Sequence, residues 1–156
     1  MSFKFPLASS TWQKEEYDAL KEVIESNNFT MGNKVKLYEK KFSDFIGSSY
    51  SVMVNSGSSA NLLMIAALFY KKDKFKINRG DEVIVPAVSW STTYNPLYQH
   101  GLKIKFVDID LNTLNYDLQK LEKAITEKTK IIMAVNLLGN SNDFDYLNKI
   151  IKNQNI

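Results

Sequence analysis

Hydrophobic and polar positions change period several times along the chain, and each change marks an element. Over residues 11–28 apolar side chains fall at Tyr17, Leu20, Val23 and Ile24, a helical spacing, with Ser10 or Thr11 as the expected N-cap. Residues 29–32 (F-T-M-G) break the pattern. This loop is apolar for an exposed turn and reads either as tucked onto a core or as facing a ligand. A second amphipathic helix follows, with Tyr38, Phe42, Phe45 and Ile46 on one face and Gly47 as its stop.

Residues 50–70 organise the rest. A short β-branched and apolar run at 51–54 predicts a strand. The small polar cluster Asn55, Ser56, Gly57, Ser58 and Ser59 predicts a tight turn, and apolar residues at helical length from Leu62 to Tyr70 predict a buried helix. Beyond a lysine-rich solvated loop at 71–79, Gly80 and Asp81 turn the chain into a strand at 82–85, which Pro86 ends because it has no N–H to donate. Residues 87–93 form the following loop, and 94–100 predict a short helix stopped by Gly101. A strand at 103–107, a helix capped by Asp117 through Leu118, Leu121 and Ile125, a strand at 130–135, a loop at 136–142 and a helix at 144–153 complete the alternation. Such alternation predicts an α/β fold with right-handed crossovers: three layers, α/β/α, around a mostly parallel sheet covered on both faces.

Composition narrows the function classes. The chain has 156 residues, 44% of them hydrophobic and 24% charged, enough for one domain with a real core. A net charge of +3, with Lys and Glu interleaved along helix faces, argues against a nucleic-acid partner. The absence of cysteine removes disulfides, thiolate catalysis and Cys-based zinc sites. Residues 1–10 carry no apolar run of signal-peptide length, and the longest apolar segment, 62–70, is under half of what spans a bilayer, so a soluble cytoplasmic protein is expected.

Two places carry candidate chemistry. A serine-flanked glycine before a helix aims N–H groups and hydroxyls at one point, beside the positive end of the helix dipole, and welcomes an anion such as phosphate. Gly57 admits close approach because it has no Cβ and can adopt positive φ. Ordinary N-capping by the serines explains the same letters. The loop at 87–93 (A-V-S-W-S-T-T) lies after a strand end, where open α/β sheets place their ligands. Its Trp90 either lies flat on a planar ring or packs under the loop. His100, the single histidine, fits a dipole partner at a helix C-terminus better than a catalytic base. Asp108 and Asp110 at a strand end suit turn and capping roles better than a magnesium site.

Six collinear motifs, 6–12 (P-L-A-S-S-T-W), 29–32, 54–69, 80–93, 105–110 and 135–140 (V-N-L-L-G-N), together resemble the vitamin-B6-dependent aminotransferases and dehydratases of nucleotide-linked 4-keto-6-deoxy sugars. The resemblance implies the aspartate aminotransferase fold, with this chain as the N-terminal part of the fold-type I large domain, residues 1–156. It also implies pyridoxal 5'-phosphate or pyridoxamine 5'-phosphate as cofactor. Gly57 and Ser58 would then bind the cofactor phosphate, Trp90 would stack on its ring, and Asn27, Asn28, Phe29 and Thr30 would line the sugar-nucleotide site. Ser58, Ser59, Ala60, Asn61 and the Ser89 to Thr93 segment resemble the 3-dehydratase branch, which removes a C3 hydroxyl in the deoxysugar chemistry of bacterial O-antigens; an aminotransferase is the alternative. Substrates would be a nucleotide-linked keto-deoxy sugar and glutamate, and the full-length form a homodimer. The acidic partner of the pyridine nitrogen and the histidine or lysine that moves the proton belong, in that family, to a segment after Ile156. No catalytic residue is assigned within this chain, which is expected to be inactive alone.

Overall fold

The computed structural model describes residues 8–152, Gln154 and Ile156. Pro6 and Leu7, which open the first motif, and Asn153, the predicted end of the last helix, lie outside the described residues. The chain divides into two compact units, one up to Met53 and one from Val54.

The first unit holds helices α1 (Lys14–Ser26) and α2 (Asn33–Ile46). The cap of α1 is Gln13, not Ser10 or Thr11: its N–H donates to Glu16 Oε2 at 2.7 Å, and a glutamate reaching back from the first turn fixes the start two or three residues later than expected. Asn27 ends α1 in the left-handed region, at φ 51°. Gly47 ends α2 as predicted, at φ 78°, its N–H donating to Ser43 O at 2.9 Å. The loop between the helices is not tucked onto a core, since Phe29 and Met31 are 64% and 88% exposed.

The predicted strand at 51–54 does not form; among the described residues the segment pairs with no strand. Its polar groups up to Met53 turn instead to α2: Ser51 Oγ donates to Glu39 O at 2.5 Å and Met53 N–H to Glu39 Oε1 at 2.9 Å. An apolar run becomes a strand only when a ladder satisfies its backbone, and here a glutamate side chain does part of that work.

In the second unit, helix α3 (Gly57–Phe69) precedes a parallel sheet of three strands: β1 (Glu82–Pro86), β2 (Lys103–Val107) and β3 (Thr129–Ile132), in the order β2-β1-β3. Helices α4 (Ser91–Gln99), α5 (Leu118–Ala124) and α6 (Phe144–Ile151) follow β1, β2 and β3 in turn. Strand periodicity sorts the core into two halves. Val83 and Val85 pack with Ile65 of α3 and Leu97 of α4, while Ile84 packs with Leu121 of α5 and Leu147 of α6. The predicted three-layer arrangement around a parallel sheet is therefore present. Each fully buried Val, Ile or Leu contributes roughly 1.5–3 kcal/mol.

Polar groups pin the layers. Tyr116 sends its buried hydroxyl to Met133 O at 2.9 Å and Ile84 O at 3.2 Å, and burial pushes its pKa far above the ordinary tyrosine value. Glu82 accepts Thr129 Oγ1 at 2.7 Å and Thr126 Oγ1 at 3.2 Å beneath the irregular step in the β1–β3 register. The 71–79 loop is less free than predicted: Ile77 is 2% exposed and fills the core beside Leu68. Helix α3 is apolar all round yet buries only Ile65 among its residues, with Leu62, Leu63 and Met64 39%, 45% and 47% exposed, because only one side of it meets α4 and the sheet.

Leu97→Ala should cost about 2–5 kcal/mol of unfolding free energy in urea titration, against under about 1 kcal/mol for Leu63→Ala on the uncovered side of α3. Equal losses would show that α3 is covered on both sides.

Candidate functional site

Helix α3 starts at Gly57, earlier than the apolar pattern suggests, because Ser56 caps it. Ser56 is extended (φ −163°, ψ 162°), its Oγ accepts Ser59 N–H at 3.2 Å, and its carbonyl accepts Ala60 N–H at 3.0 Å. Ser59 Oγ donates to Asn55 Oδ1 at 2.6 Å. Two of the three serines thus work as cap, and the exposed Ser58 hydroxyl stays outside that network. The cap leaves the N–H groups of Gly57 and Ser58 aimed out of the helix. No acidic side chain stands in the first turn, so the positive end of a 13-residue helix is not neutralised from within.

Gly57 corrects one expectation. It is the first helical residue and has no positive φ, since a helix start demands ordinary right-handed geometry. Its lack of a side chain still counts: a Cβ built there meets nothing within 4 Å, so the space over the helix start is open.

Helix α4 also starts earlier than predicted, at Ser91, which turns Ser91, Thr92 and Thr93 from loop into first turn. Trp90 is its N-cap, with a 74% exposed side chain and a carbonyl that accepts Thr93 N–H at 2.9 Å. The indole is not packed under the loop. Thr93 is buried and shares a 2.8 Å hydroxyl contact with Ser89, while Tyr94 OH donates to Pro86 O at 2.9 Å. Burial raises the Tyr94 pKa, and a contact from Ser89 draws it partly back. These bonds tie the 87–90 segment to the end of β1.

The starts of α3 and α4 adjoin. Asn61 Nδ2 donates to Thr92 O at 3.1 Å. Between the two helices lies a cavity of about 230 Å³, walled by Ser58, Ser59 and Leu62 from α3 and by Thr92, Asn95 and Gln99 from α4. Of the residues singled out in the sequence, the structure brings Ser58 into this wall; Gly57 and Trp90 stand outside it. Asn27, Asn28, Phe29 and Thr30 are all exposed and belong to the first unit. The Asn28 side chain folds over Gly32, where a Cβ would lie 2.5 Å from its amide nitrogen. The sequence marked Asn61 and Thr92 only as signs of a family branch, without a site role, and gave Asn95 and Gln99 none. The usable signal for Asn61 was a polar side chain alone in the apolar run from Ala60 to Phe69.

His100 is the C-cap of α4, its ring centred 5.4 Å from that of Phe69, which is the position expected of a dipole partner. Asp110 Oδ1 accepts Asn112 N–H at 2.7 Å, a turn role. Asp108 accepts Ile109 N–H at 2.9 Å and Lys120 Nζ at 3.2 Å. The Ile109 N–H, then Lys120, holds the Asp108 carboxyl below the usual aspartate value, and the Lys120 N–H, chiefly, does the same for the helix-capping Asp117. Among the described residues no group of three or more histidine, aspartate or glutamate side chains could hold a metal ion. No helix among them is long and apolar enough to cross a membrane.

Comparison with known proteins adds a lineage to this geometry. The profile of the DegT/DnrJ/EryC1/StrS aminotransferase family matches residues 10–156. A GDP-4-keto-6-deoxy-D-mannose 3-dehydratase from Yersinia pseudotuberculosis is 67% identical over 153 residues, 97% of this chain and 38% of the relative. The solved structure of the Escherichia coli GDP-4-keto-6-deoxy-D-mannose-3-dehydratase with bound hydrated PLP superposes with a TM-score of 0.93 at 59% identity, covering 98% of this chain and 39% of that one. A dTDP-3-amino-3,6-dideoxy-alpha-D-galactopyranose transaminase from Aneurinibacillus thermoaerophilus is 36% identical over 145 residues, 93% of this chain and 38% of the relative. The chain thus spans well under half the length of the relatives it matches.

Ser56→Ala should remove the cap of α3 and lower stability by about 1 kcal/mol in urea titration. The depressed carboxyls of Asp108 and Asp117 contribute stability that is present above the ordinary aspartate pKa and is lost as pH falls through their lowered values. Asp117→Asn should therefore flatten the acid limb of a melting-temperature profile and leave its neutral-to-basic slope unchanged.

Proposed function

The chain belongs to the DegT/DnrJ/EryC1/StrS aminotransferase family, and on that premise we propose that it is the N-terminal part of a vitamin-B6-dependent enzyme that removes the C3 hydroxyl of a nucleotide-linked 4-keto-6-deoxy sugar. The reaction is that of a GDP-4-keto-6-deoxy-D-mannose 3-dehydratase, with glutamate as second substrate, serving deoxysugar and O-antigen synthesis. The full-length form is a cytoplasmic homodimer, and residues 1–156 are the first portion of its large, cofactor-binding domain. The high identity to 3-dehydratases along nearly the whole of this chain favours dehydration. The transaminase relative keeps sugar amino transfer as the second reading.

The observation that carries the proposal is the open start of α3: a capped helix with two outward N–H groups, a free serine hydroxyl, open space above Gly57 and no carboxylate of its own. Those features fit the phosphate of pyridoxal or pyridoxamine 5'-phosphate. When bound, the cofactor supplies the electron sink that lets the C3 hydroxyl depart. The rest is placement by side chains. Gly57 and Ser58 would hold the phosphate, and Trp90, exposed at the start of α4, would lie against the ring. Asn27, Asn28, Phe29 and Thr30 line the sugar-nucleotide path. Proton transfer is assigned to no residue of this chain.

Two measurements test this reading. After dialysis with pyridoxamine 5'-phosphate the chain should retain cofactor absorbance, and Trp90→Ala should weaken retention roughly two- to tenfold, the value of one aromatic contact. A chain that retains none overturns the assignment. Mixed with pyridoxamine 5'-phosphate, glutamate and the GDP-linked keto sugar, it should yield no deoxygenated product; turnover would place the proton-moving group within these residues.

A further inference from the structure

Helix α4 carries Pro96 inside it. Proline has no N–H, so the carbonyl four residues earlier, Thr92 O, loses the partner that helical geometry would otherwise give it, and the pyrrolidine ring crowds that carbonyl outward. A buried or half-buried carbonyl without a partner costs free energy, and such groups are nearly always satisfied from elsewhere. Here the donor comes from another helix: Asn61 Nδ2 reaches Thr92 O at 3.1 Å. Asn61 stands four residues after Gly57 and three after Ser58, on the same face of α3 and directly below the open helix start. Thr92 lies two residues after Trp90 in the first turn of α4. One hydrogen bond therefore joins the two helix starts on which the candidate site is built.

Resting on the cofactor reading above, we propose that Asn61 is a positioning residue. By supplying the hydrogen bond that Pro96 withholds, it pins the first turn of α4 to the first turn of α3 and sets Trp90 in place relative to the phosphate-binding N–H groups of Gly57 and Ser58. Three features support a role beyond filling a gap. The donor is the single polar residue in the run from Ala60 to Phe69, where an apolar side chain would pack more cheaply. Its acceptor is the carbonyl that Pro96 leaves without its helical N–H partner. Next to the bond a 230 Å³ cavity opens between the helix starts, while the apolar packing of α3 on α4 lies further along, at Ile65 and Leu97.

The test is a double-substitution cycle read at Trp90. In ¹⁵N-labelled chain carrying Trp12→Phe, so that Trp90 gives the single indole signal, Asn61→Ala and Asn61→Asp should both displace the Trp90 Nε1–H resonance. Both should weaken pyridoxamine 5'-phosphate binding about tenfold, the loss of one well-placed hydrogen bond. Aspartate keeps the shape and loses the donor, and it carries the measurement if the alanine variant does not fold. Pro96→Ala returns a backbone N–H to Thr92 O. In that background Asn61→Ala should leave both the resonance and the affinity within about twofold of Pro96→Ala alone. Equal losses with and without Pro96 overturn the inference, as does a lowered melting temperature with an unmoved Trp90 signal and unchanged affinity. If the chain with Asn61 and Pro96 intact takes up no pyridoxamine 5'-phosphate, the cofactor reading falls, and the Trp90 resonance alone decides whether Asn61 positions the helices.

Discussion

A parallel strand flanked on both sides by other strands has to be dry on both faces, and β1 meets that demand with three residues. Val83 and Val85 point to the layer of α3 and α4, Ile84 to the layer of α5 and α6, and all three are fully buried. Pairing with β2 on one side and β3 on the other consumes its backbone groups, so the strand cannot shift by one residue without turning its core outward. Where β1 ends is therefore fixed. Pro86 closes it, Tyr94 OH bonds the Pro86 carbonyl, and α4 begins with Trp90 at a defined point beyond the carboxyl end of the sheet.

From that anchor the candidate site follows by short-range chemistry. Four small residues, Ser56 to Ser59, make a helix start with its own cap and leave part of its polarity pointing outward. A second helix start lies beside it, joined by one side-chain hydrogen bond and by apolar packing further along the two helices. Neither start holds a carboxylate in its first turn, so the two dipoles present the same sign to the space around them. That electrostatic character suits a phosphorylated ligand whatever else the ligand carries.

The strands at 82–85 and 103–107, the capping aspartate at 117 and the stop at Gly47 were legible because each rests on a local rule: period, cap or positive φ. The failures share a cause. The run at 51–54 has strand composition but no ladder, and its serine hydroxyl and the Met53 N–H go to Glu39. Helix α1 starts where Glu16 closes a capping box, and α3 starts where Ser56 caps it, at positions the apolar pattern alone does not mark. The site was half legible. Gly57, Ser58 and Trp90 were candidates from turn chemistry and family likeness, and Asn61 was a branch marker, whereas the bond that Asn61 makes is visible only once α4 and its proline lie next to it.

What the sequence alone determined is the alternation of strand and helix, and with it the parallel three-layer plan, because side-chain period and capping residues are properties of neighbours along the chain. Tertiary structure decided which serines are spent on the cap and which stays free, that Trp90 stands exposed, that α3 leaves one side uncovered, and that an amide on α3 completes a carbonyl on α4. Each of these depends on which atoms from distant segments compete for the same hydrogen bond or the same buried area, and separation along the chain does not encode that competition.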